Sequence, residues 1–212
     1  MTPQMIMEHI NEQFEEGIIV TDVGQHQMWA AQYIELNEKK SYITSGGLGT
    51  MGFGLPAAIG SKIANPDKTV ICISGDGGIQ MNIQEMATSI VQNAPVIICI
   101  LNNYYLGMVR QMQELWYGKR YEATCLRRRK ECPRDCKGPN AACPPYSPDF
   151  VKLAESYGAK GIRVTKEEEI AGAFEAAKAN QVSTIIEFLI ATEEIVLPMV
   201  RGGNPMREMI LK

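Results

Sequence analysis

The chain alternates between short apolar runs and segments whose apolar residues recur at helical spacing. The apolar runs lack polar alternation and predict buried strands at residues 17–20, 69–74, 95–101, 161–164 and 183–189. The helical spacing predicts helices at residues 5–14, 25–36, 55–64, 82–93, 147–157 and 166–179. Strands that are apolar on both faces indicate a parallel sheet covered by helices on both sides, so the predicted fold class is α/β.

Two stretches between the predicted elements lack this periodicity. Residues 45–54 form a glycine-rich loop, and residues 117–148 form a long polar loop that carries prolines and cysteines. A loop of that length is usually functional or disordered. We therefore divide the chain into one domain, residues 1–200, with a cysteine-rich insert at about 125–145, and a C-terminal tail, residues 201–212.

Composition and charge exclude several classes of protein. The chain has 212 residues, and 24 acidic against 21 basic side chains give it a net charge of −3. That balance leaves no electrostatic footprint for nucleic acid, and we interpret the basic run at 127–130 as a solvated loop. Because no stretch of about 18 apolar residues occurs, no membrane span is predicted. The N-terminus lacks a basic segment followed by an apolar run, so no secretory signal is predicted either.

Six cysteines are the unusual part of the composition. Cys72 and Cys99 lie inside apolar runs and are predicted to be buried. The other four lie in a polar, proline-rich stretch and lack the C-x2-C pair that is typical of zinc and iron–sulfur sites. We expect free thiols or adventitious disulfides there, with a metal site as the less favoured alternative. These four are Cys125, Cys132, Cys136 and Cys143.

Residues 47–52 match the G-x-G-x-x-G pattern of dinucleotide-binding loops. The match is weak, because such a loop needs a strong strand before it and an acidic residue at the end of the next strand. Only residues 42–44 precede it, and Asp67 lies in a turn. A nicotinamide dinucleotide site is therefore the less favoured interpretation.

Two polar motifs follow consecutive predicted strands. Residues 75–78 are Gly-Asp-Gly-Gly, and Asn102 and Asn103 follow the next strand. Consecutive parallel strands tend to be neighbours, so Asp76 and Asn103 can meet at the carboxyl edge of the sheet, where ligands bind. Their oxygens suit Mg²⁺ and the glycines leave room for phosphate, which together predict a Mg²⁺–diphosphate site. The alternative is that Asp76 caps a helix and the asparagines form a turn.

Gly-Asp-Gly followed at this interval by Asn-Asn resembles the thiamine diphosphate motif. The sequence around it is similar to the C-terminal domain of the acetohydroxyacid synthase (acetolactate synthase) family. The resemblance runs from about residue 17 to residue 200 and is lost at about 126–145. It implies the thiamine diphosphate-binding fold, with thiamine diphosphate and Mg²⁺ as cofactors. It is carried by residues 23–29, 45–52, 101–103, 106–111 and 196–200.

The resemblance also implies roles for single residues. Mg²⁺ would be bound by Asp76, Asn103 and the backbone carbonyl of Tyr105. Met51 would keep the cofactor bent, and the backbone of Gly49 would reach its aminopyrimidine. The diphosphate would be held by Gly24, Gln25, His26, Gly77 and Gly78, with His26 contacting phosphate rather than transferring protons. The other predicted cofactor-binding residues are Gly75, Gly107 and Met108.

Residues 108–116 resemble the mobile active-site segment of the same family. Met112 stands where the family usually has tryptophan, at a position that helps to shape the substrate channel and the inhibitor site. Substrate preference and inhibitor sensitivity are therefore open. The alternative is that Met108 and Met112 form a core stripe at helical i, i+4 spacing.

The resemblance implies a function in branched-chain amino acid biosynthesis. The family decarboxylates pyruvate and joins the product to pyruvate or 2-ketobutyrate, and the cofactor supplies the carbanion chemistry. Its catalytic glutamate lies in an N-terminal domain and its FAD in a middle domain, and neither domain fits in 212 residues. We therefore expect a fragment that is inactive alone, does not bind FAD, and has a second copy and a regulatory subunit as partners. Its compartment would be the cytoplasm, or an organelle in a eukaryote.

Two alternatives to this function stay open. One is a subunit of another thiamine-dependent decarboxylase or of a 2-oxoacid oxidoreductase, for which an iron–sulfur partner and a brown colour would be evidence. The other is a non-catalytic binding or regulatory module that keeps the fold. The intact pair Asp76 and Asn103 argues against that second alternative.

Overall fold

The computed structural model of the chain describes residues 1–127, 130–133, 136, 143 and 148–211. Most of the cysteine-rich insert and part of the basic run at 127–130 lie outside the described residues, as does Ser147 at the start of a predicted helix. The division into a domain and a tail therefore stays a prediction. Ile210 of the tail pairs with Met199 of the domain through two backbone hydrogen bonds of 3.0 and 2.8 Å.

Six parallel strands form one sheet in the order β2-β1-β3-β4-β6-β5. Helices cover both faces of the sheet, which confirms the predicted α/β fold class. The crossovers place the carboxyl ends of β1, β3 and β4 side by side at one edge. The strands are β1 Gly17–Thr21, β2 Lys40–Thr44, β3 Val70–Gly75, β4 Ile97–Asn102, β5 Lys160–Val164 and β6 Thr184–Leu189.

Eight α-helices are present in the part of the chain that the structure describes. None of them is long and apolar enough to cross a membrane. Single turns of 3₁₀-helix, Glu167–Glu169 and Met206–Glu208, add to them. The helices are α1 Pro3–Gln13, α2 Gln25–Tyr33, α3 Gly54–Ala64, α4 Asp76–Ile79, α5 Glu85–Val91, α6 Gly107–Trp116, α7 Phe150–Ser156 and α8 Ile170–Ala179.

The strands are apolar along their whole length because each face of the sheet has its own core. In β3, Ile71 and Ile73 pack into one core with α1, α2, α6 and α8. Val70 and Cys72 alternate with them and pack into the other core, with α3, α4, α5 and α7. Successive strand residues point to opposite faces, so a strand buried on both sides needs apolar residues at every position. Cys72 and Cys99 are both fully buried, as predicted.

The structure corrects the predicted elements in three places. β2 is missed by the apolar pattern because it is an edge strand and is only half-buried. The helix predicted at 82–93 starts too early, because α5 begins only at Glu85. The short helix α4, which begins at Asp76, precedes it, and a turn separates the two. The amide of Asn82 lies in that turn and donates to the carbonyl oxygen of Gly52 at 2.9 Å. The helix predicted at 25–36 ends at Tyr33.

Residues 107–116, for which the apolar pattern predicts no element, form a helix. α6 carries Met108 and Met112, which pack half-buried against the core that contains α1 and α2. The core-stripe interpretation of these two methionines is therefore correct for their packing. Met108 also lines the cleft described below, so packing in the core and lining the cleft are compatible at this position.

Phe174 offers a test of how much one of the two cores contributes to stability. Its fully buried ring lies 5.5 Å from that of Phe14 and 5.7 Å from that of Phe188, which ties α8 to α1 and β6. Phe174→Ala is expected to lower the free energy of unfolding by about 3–5 kcal/mol, measured by urea denaturation. The control Val91→Ala, at a side chain that is 74% exposed, is expected to change it by less than about 0.5 kcal/mol. An equal loss in both variants would contradict this role for Phe174.

Candidate functional site

A cleft with a cavity volume of about 80 Å³ opens at the carboxyl edge of the sheet. It is lined by residues that follow β1, β3 and β4 and by the start of α6. Among the described residues that line it, Asp76 is the one acidic side chain, and neither lysine nor arginine is present. Every predicted cofactor-binding residue except Gly49 lies along it, namely Gly24, Gln25, His26, Met51, Gly75, Asp76, Gly77, Gly78, Asn103, Tyr105, Gly107 and Met108.

Asp76 is a buried carboxylate at the first position of α4. Its Oδ1 accepts a hydrogen bond from the backbone N–H of Gly77 at 3.2 Å, but the N-cap residue of α4 is Gly75, so the alternative that Asp76 caps the helix is wrong. Its Oδ2 is buried and has no hydrogen-bond partner among the described residues. Burial raises the pKa of Asp76 to about 8, although hydrogen bonds from backbone N–H groups, including that of Tyr104, oppose the rise. A helix cap alone leaves this second oxygen unexplained.

The two adjacent asparagines face different partners. Asn103 lines the cleft, where its Oδ1 accepts from the backbone N–H of Tyr105 at 3.0 Å. Asn102 points away and donates from Nδ2 to Glu187 Oε1 at 2.7 Å, while its Oδ1 accepts from the backbone N–H of Tyr104 at 3.0 Å. Tyr104 has a left-handed φ of 62°, which accompanies the turn that follows the strand. The strand adjacency thus brings Asn103, and not Asn102, into the cleft with Asp76.

His26 lies in the first turn of α2 and is buried between two glycines. A Cβ atom at Gly24 would lie 2.8 Å from the imidazole Cε1, and one at Gly75 would lie 2.9 Å from Nδ1. Burial lowers the pKa of His26 to about 4, with the charge of Asp22 opposing, so the ring is neutral at pH 7. Its Nε2 is buried without a hydrogen-bond partner among the described residues. A neutral imidazole with one unpaired nitrogen is suited to a hydrogen bond with a ligand.

Asp22 is a functional residue that sequence reasoning missed. It is 1% exposed at the end of β1, and its carboxylate accepts from the backbone N–H groups of Val23, Gly52 and Gly54 at 2.7, 3.1 and 2.8 Å. A Cβ atom at Gly78 would lie only 2.5 Å from its Oδ1. Asp22 therefore fastens the glycine-rich loop to the sheet. The available signal was an acidic residue directly after a strand.

The same contacts explain why the glycine-rich loop is not a dinucleotide site. The strand that this interpretation lacked is present as β2, and α3 follows the loop. However, the N–H groups of Gly52 and Gly54 at the start of the helix, which would face a phosphate, are bonded to Asp22. The protein itself supplies the anion at this helix start.

Met51 and Gly49 lie in this loop but in different environments. Met51 lines the cleft, and its Cε would be 3.8 Å from a Cβ atom at Gly77. Gly49 has a left-handed φ of +64° and lies beside Val23 rather than along the cleft. The predicted backbone contact of Gly49 with a cofactor therefore stays a prediction.

The cysteine insert contributes one described contact to the site. Cys125 forms an antiparallel bridge with Tyr105, and the backbone N–H groups of Leu106 and Leu126 bond to the carbonyl oxygens of Thr124 and Tyr104 at 2.8 and 2.9 Å. This short pairing holds the turn that contains Tyr105. In the described part of the chain, no group of three or more His, Cys, Asp or Glu side chains could hold a metal ion. Cys125, Cys132, Cys136 and Cys143 are half-buried, and no disulfide bond joins the cysteines that the structure describes.

The unpaired atoms test whether the residues fit a cation and a phosphate. A buried carboxylate oxygen without a partner costs several kcal/mol or gives up its charge, so Asp76 is suited to a bound cation. Carboxylate and amide oxygens are the ligands that Mg²⁺ prefers, and Asn103 supplies an amide oxygen in the same cleft. His26 lines the same cleft, and its buried Nε2 is available to a ligand there. The residues present therefore fit a Mg²⁺–diphosphate group.

Comparison with known proteins gives matches over nearly the whole chain. Residues 22–188 match the family described as "Thiamine pyrophosphate enzyme, C-terminal TPP binding domain". The acetolactate synthase large subunit of Cyanidium caldarium is 40% identical over 208 residues, which are 98% of this chain and 32% of that protein. The large subunits of Corynebacterium glutamicum and Haemophilus influenzae are 41% and 40% identical, over 96% and 99% of this chain and 31% and 34% of those proteins. The chain spans about a third of the length of these relatives.

Asp22→Ala tests whether this carboxylate organises the loop. The variant leaves three backbone N–H groups without their partner, so we expect a loss of about 3 kcal/mol or more in unfolding free energy. We also expect faster limited proteolysis within residues 45–54. Asp67→Ala, which removes an exposed carboxylate from a turn, is the matched control and should leave both measurements unchanged. Wild-type proteolysis rates in Asp22→Ala would refute the anchoring role.

Asp76 gives a pH dependence with a defined sign. Because the folded pKa of about 8 lies above the usual 3.8, the folded carboxyl holds a proton that the unfolded chain releases. Stability of the metal-free chain should therefore fall as the pH rises from about 4 to about 8. Asp76→Asn should remove this slope and exceed wild-type stability at pH 8 by more than about 1 kcal/mol, since one pKa unit corresponds to ~1.4 kcal/mol. Urea denaturation in EDTA at several pH values measures this.

Other titrating groups are shared by both proteins and cancel in the difference between wild type and Asp76→Asn. Parallel stability profiles between pH 4 and pH 8 would mean that Asp76 is not the source of the slope.

Proposed function

This chain belongs to the family of thiamine pyrophosphate enzymes with a C-terminal TPP-binding domain, and on that basis we propose that its cleft holds thiamine diphosphate together with Mg²⁺. Its homology to acetolactate synthase large subunits extends over at least nine-tenths of its length. The observation that carries the Mg²⁺ part of the proposal is the buried Oδ2 of Asp76, which has no hydrogen-bond partner in the described part of the chain and lies in a cleft that also contains the Asn103 amide.

Three groups of the chain bind the cation in this proposal. The carboxylate of Asp76 supplies the charge, and the Oδ1 of Asn103 and the backbone carbonyl of Tyr105 complete the protein ligands. The cation holds Asp76 in its ionised form, because a positive charge nearby lowers the pKa that burial raises. The backbone pairing of residues 104–106 with residues 124–126 supports this arrangement by fixing the turn.

The glycines that follow β1 and β3 would hold the diphosphate. The side chain of His26 would contact the phosphate groups rather than act in proton transfer, which agrees with its burial and lowered pKa. Gly24, Gly77 and Gly78 keep the backbone close to the ligand by having no side chain. Met51 and Met108 supply apolar surface for the remainder of the cofactor. Thiamine diphosphate, when bound, supplies the carbanion chemistry that decarboxylates a 2-ketoacid.

The activity that we propose for the complete protein is acetolactate synthesis from pyruvate and a second 2-ketoacid, pyruvate or 2-ketobutyrate. It is supported by the names of relatives that are 40–41% identical to this chain. In this proposal the described chain is the cofactor-binding part, and the catalytic glutamate and the FAD site belong to other domains. A second copy of the chain and a regulatory subunit are the proposed partners.

The proposal is tested by calorimetric titration of the purified chain with thiamine diphosphate, first with Mg²⁺ and then with EDTA. We expect binding that depends on Mg²⁺. Asp76→Ala and Asn103→Ala each remove a cation ligand and are expected to weaken binding about 100-fold, the equivalent of ~2.7 kcal/mol.

Asp67→Ala is the control for charge, since it removes an exposed carboxylate far from the cleft and should bind like wild type. Binding that persists in EDTA, or that is equally tight in Asp76→Ala, would contradict the assignment of the cation site. No binding at millimolar cofactor would contradict the proposal for this chain.

A further inference from the structure

Three buried carboxamides form a chain that leads out of the cleft. Asn103 donates from Nδ2 to Gln25 Oε1 at 3.4 Å, and Gln25 donates from Nε2 to Gln111 Oε1 at 2.8 Å. Gln111 is the last carboxamide of the series. Its Nε2 donates to the carbonyl oxygen of Val196 at 2.9 Å, and its Oε1 accepts from the backbone N–H of Val196 at 2.8 Å. All four residues are at most 6% exposed. This series of hydrogen bonds thus connects residues 194–197, which we call the C-terminal segment, with the candidate cation site.

The partners at each step fix which way each amide points. Val196 offers one donor and one acceptor, so a flipped Gln111 would place like groups together at both contacts. Gln25 Nε2 lies between two acceptors, Gln111 Oε1 and the carbonyl oxygen of Glu194 at 3.1 Å. The oxygen of Gln25 must therefore face the Nδ2 of Asn103. That contact leaves the Oδ1 of Asn103 on the opposite side of its amide group.

Gly107 makes the meeting of these side chains possible. A Cβ atom at this position would overlap Gln25 Oε1 and lie 2.9 Å from Asn103 Nδ2. Gln111 follows Gly107 by one helical turn on α6, so both face α2 from the same side of the helix. The absence of a side chain at Gly107 thus serves a contact between protein groups.

We propose that Gln111 is a positioning residue that couples the docking of the C-terminal segment at Val196 to the orientation of the Asn103 carboxamide. The cation-binding part of this role rests on the proposed function, whereas the coupling between Val196 and Asn103 does not. Loss of the contact at either end loosens the amide at the other end, because each buried amide then loses one of the partners that orient it. The coupling is reciprocal: ordering Asn103 tightens the segment at Val196.

Hydrogen exchange of the Val196 backbone amide tests the coupling without any ligand. This N–H is held by Gln111 Oε1, so its exchange rate reports on the end of the chain farthest from the cleft. Gln111→Leu removes the bond itself and should speed exchange about fivefold or more. Gln25→Met and Asn103→Ala leave the bonds between Gln111 and Val196 in place. They should still speed exchange about two- to fivefold. Gln25→Met also removes the bond to Glu194, so the decisive variant is Asn103→Ala, for which a purely local role for Gln111 predicts no change.

Gln32→Ala is the matched control. Gln32 also holds the C-terminal segment, donating from Nε2 to the carbonyl oxygen of Leu197 at 3.0 Å, but it is exposed and has no bond to the amide chain. It should change exchange at Val196 by less than about twofold. Exchange at Val196 within twofold of wild type in Asn103→Ala would overturn the proposal. This outcome does not depend on whether Gln111→Leu folds.

A second measurement addresses the cation-binding part. In titrations with thiamine diphosphate and Mg²⁺, Gln111→Leu should weaken binding about fivefold and Gln32→Ala less than twofold. Equal binding by wild type and Gln111→Leu would overturn the positioning of Asn103 for the cation. If wild type itself does not bind, the proposed function fails, and the exchange of Val196 still decides whether the coupling exists.

Discussion

The carboxylate of Asp22 is the contact on which the geometry of the cleft depends. It gathers three backbone N–H groups from the end of β1 and from the glycine-rich loop, and it occupies the space that a side chain at Gly78 would need. The loop that carries Met51 is thereby held above the start of α4. A buried charge that accepts several N–H groups is stable where an unpaired one is not. The fold thus keeps one carboxylate satisfied and leaves a second one, Asp76, incomplete.

That difference separates a structural acid from a binding acid. Asp22 and Asp76 are equally buried, follow adjacent strands and lie at the same edge of the sheet. Asp22 bonds with both oxygens, whereas Asp76 has one oxygen without a partner among the described residues. The cost of burying Asp76 is met by the two cores, whose apolar strands hold this edge of the sheet together. Binding sites commonly carry such locally unfavourable groups.

The sequence predicts the sheet and the meeting of Asp76 and Asn103 well, because both follow from local patterns. Apolar runs identify every strand except β2, whose edge position gives it a mixed pattern. Strand adjacency is enough to bring residues after β3 and β4 together. Two of the three partners of Asp22, Gly52 and Gly54, lie 30 and 32 residues away, and Gln25 and Gln111 are separated by 86 residues, so no periodicity reveals those contacts. Which asparagine faces the cleft depends on the turn at Tyr104, and spacing alone does not specify it.

The composition of the cleft wall has a consequence for the order of events in binding. Within the described lining, one carboxylate is accompanied by amides, glycines and apolar side chains, with no lysine or arginine to neutralise an anion. A highly charged phosphate group would meet a wall that carries no positive charge, and a lone cation would meet a single carboxyl group whose burial favours its neutral form. Each ion therefore needs the other as its counter-charge. The wall is built to accept an ion pair as a single electrically balanced unit.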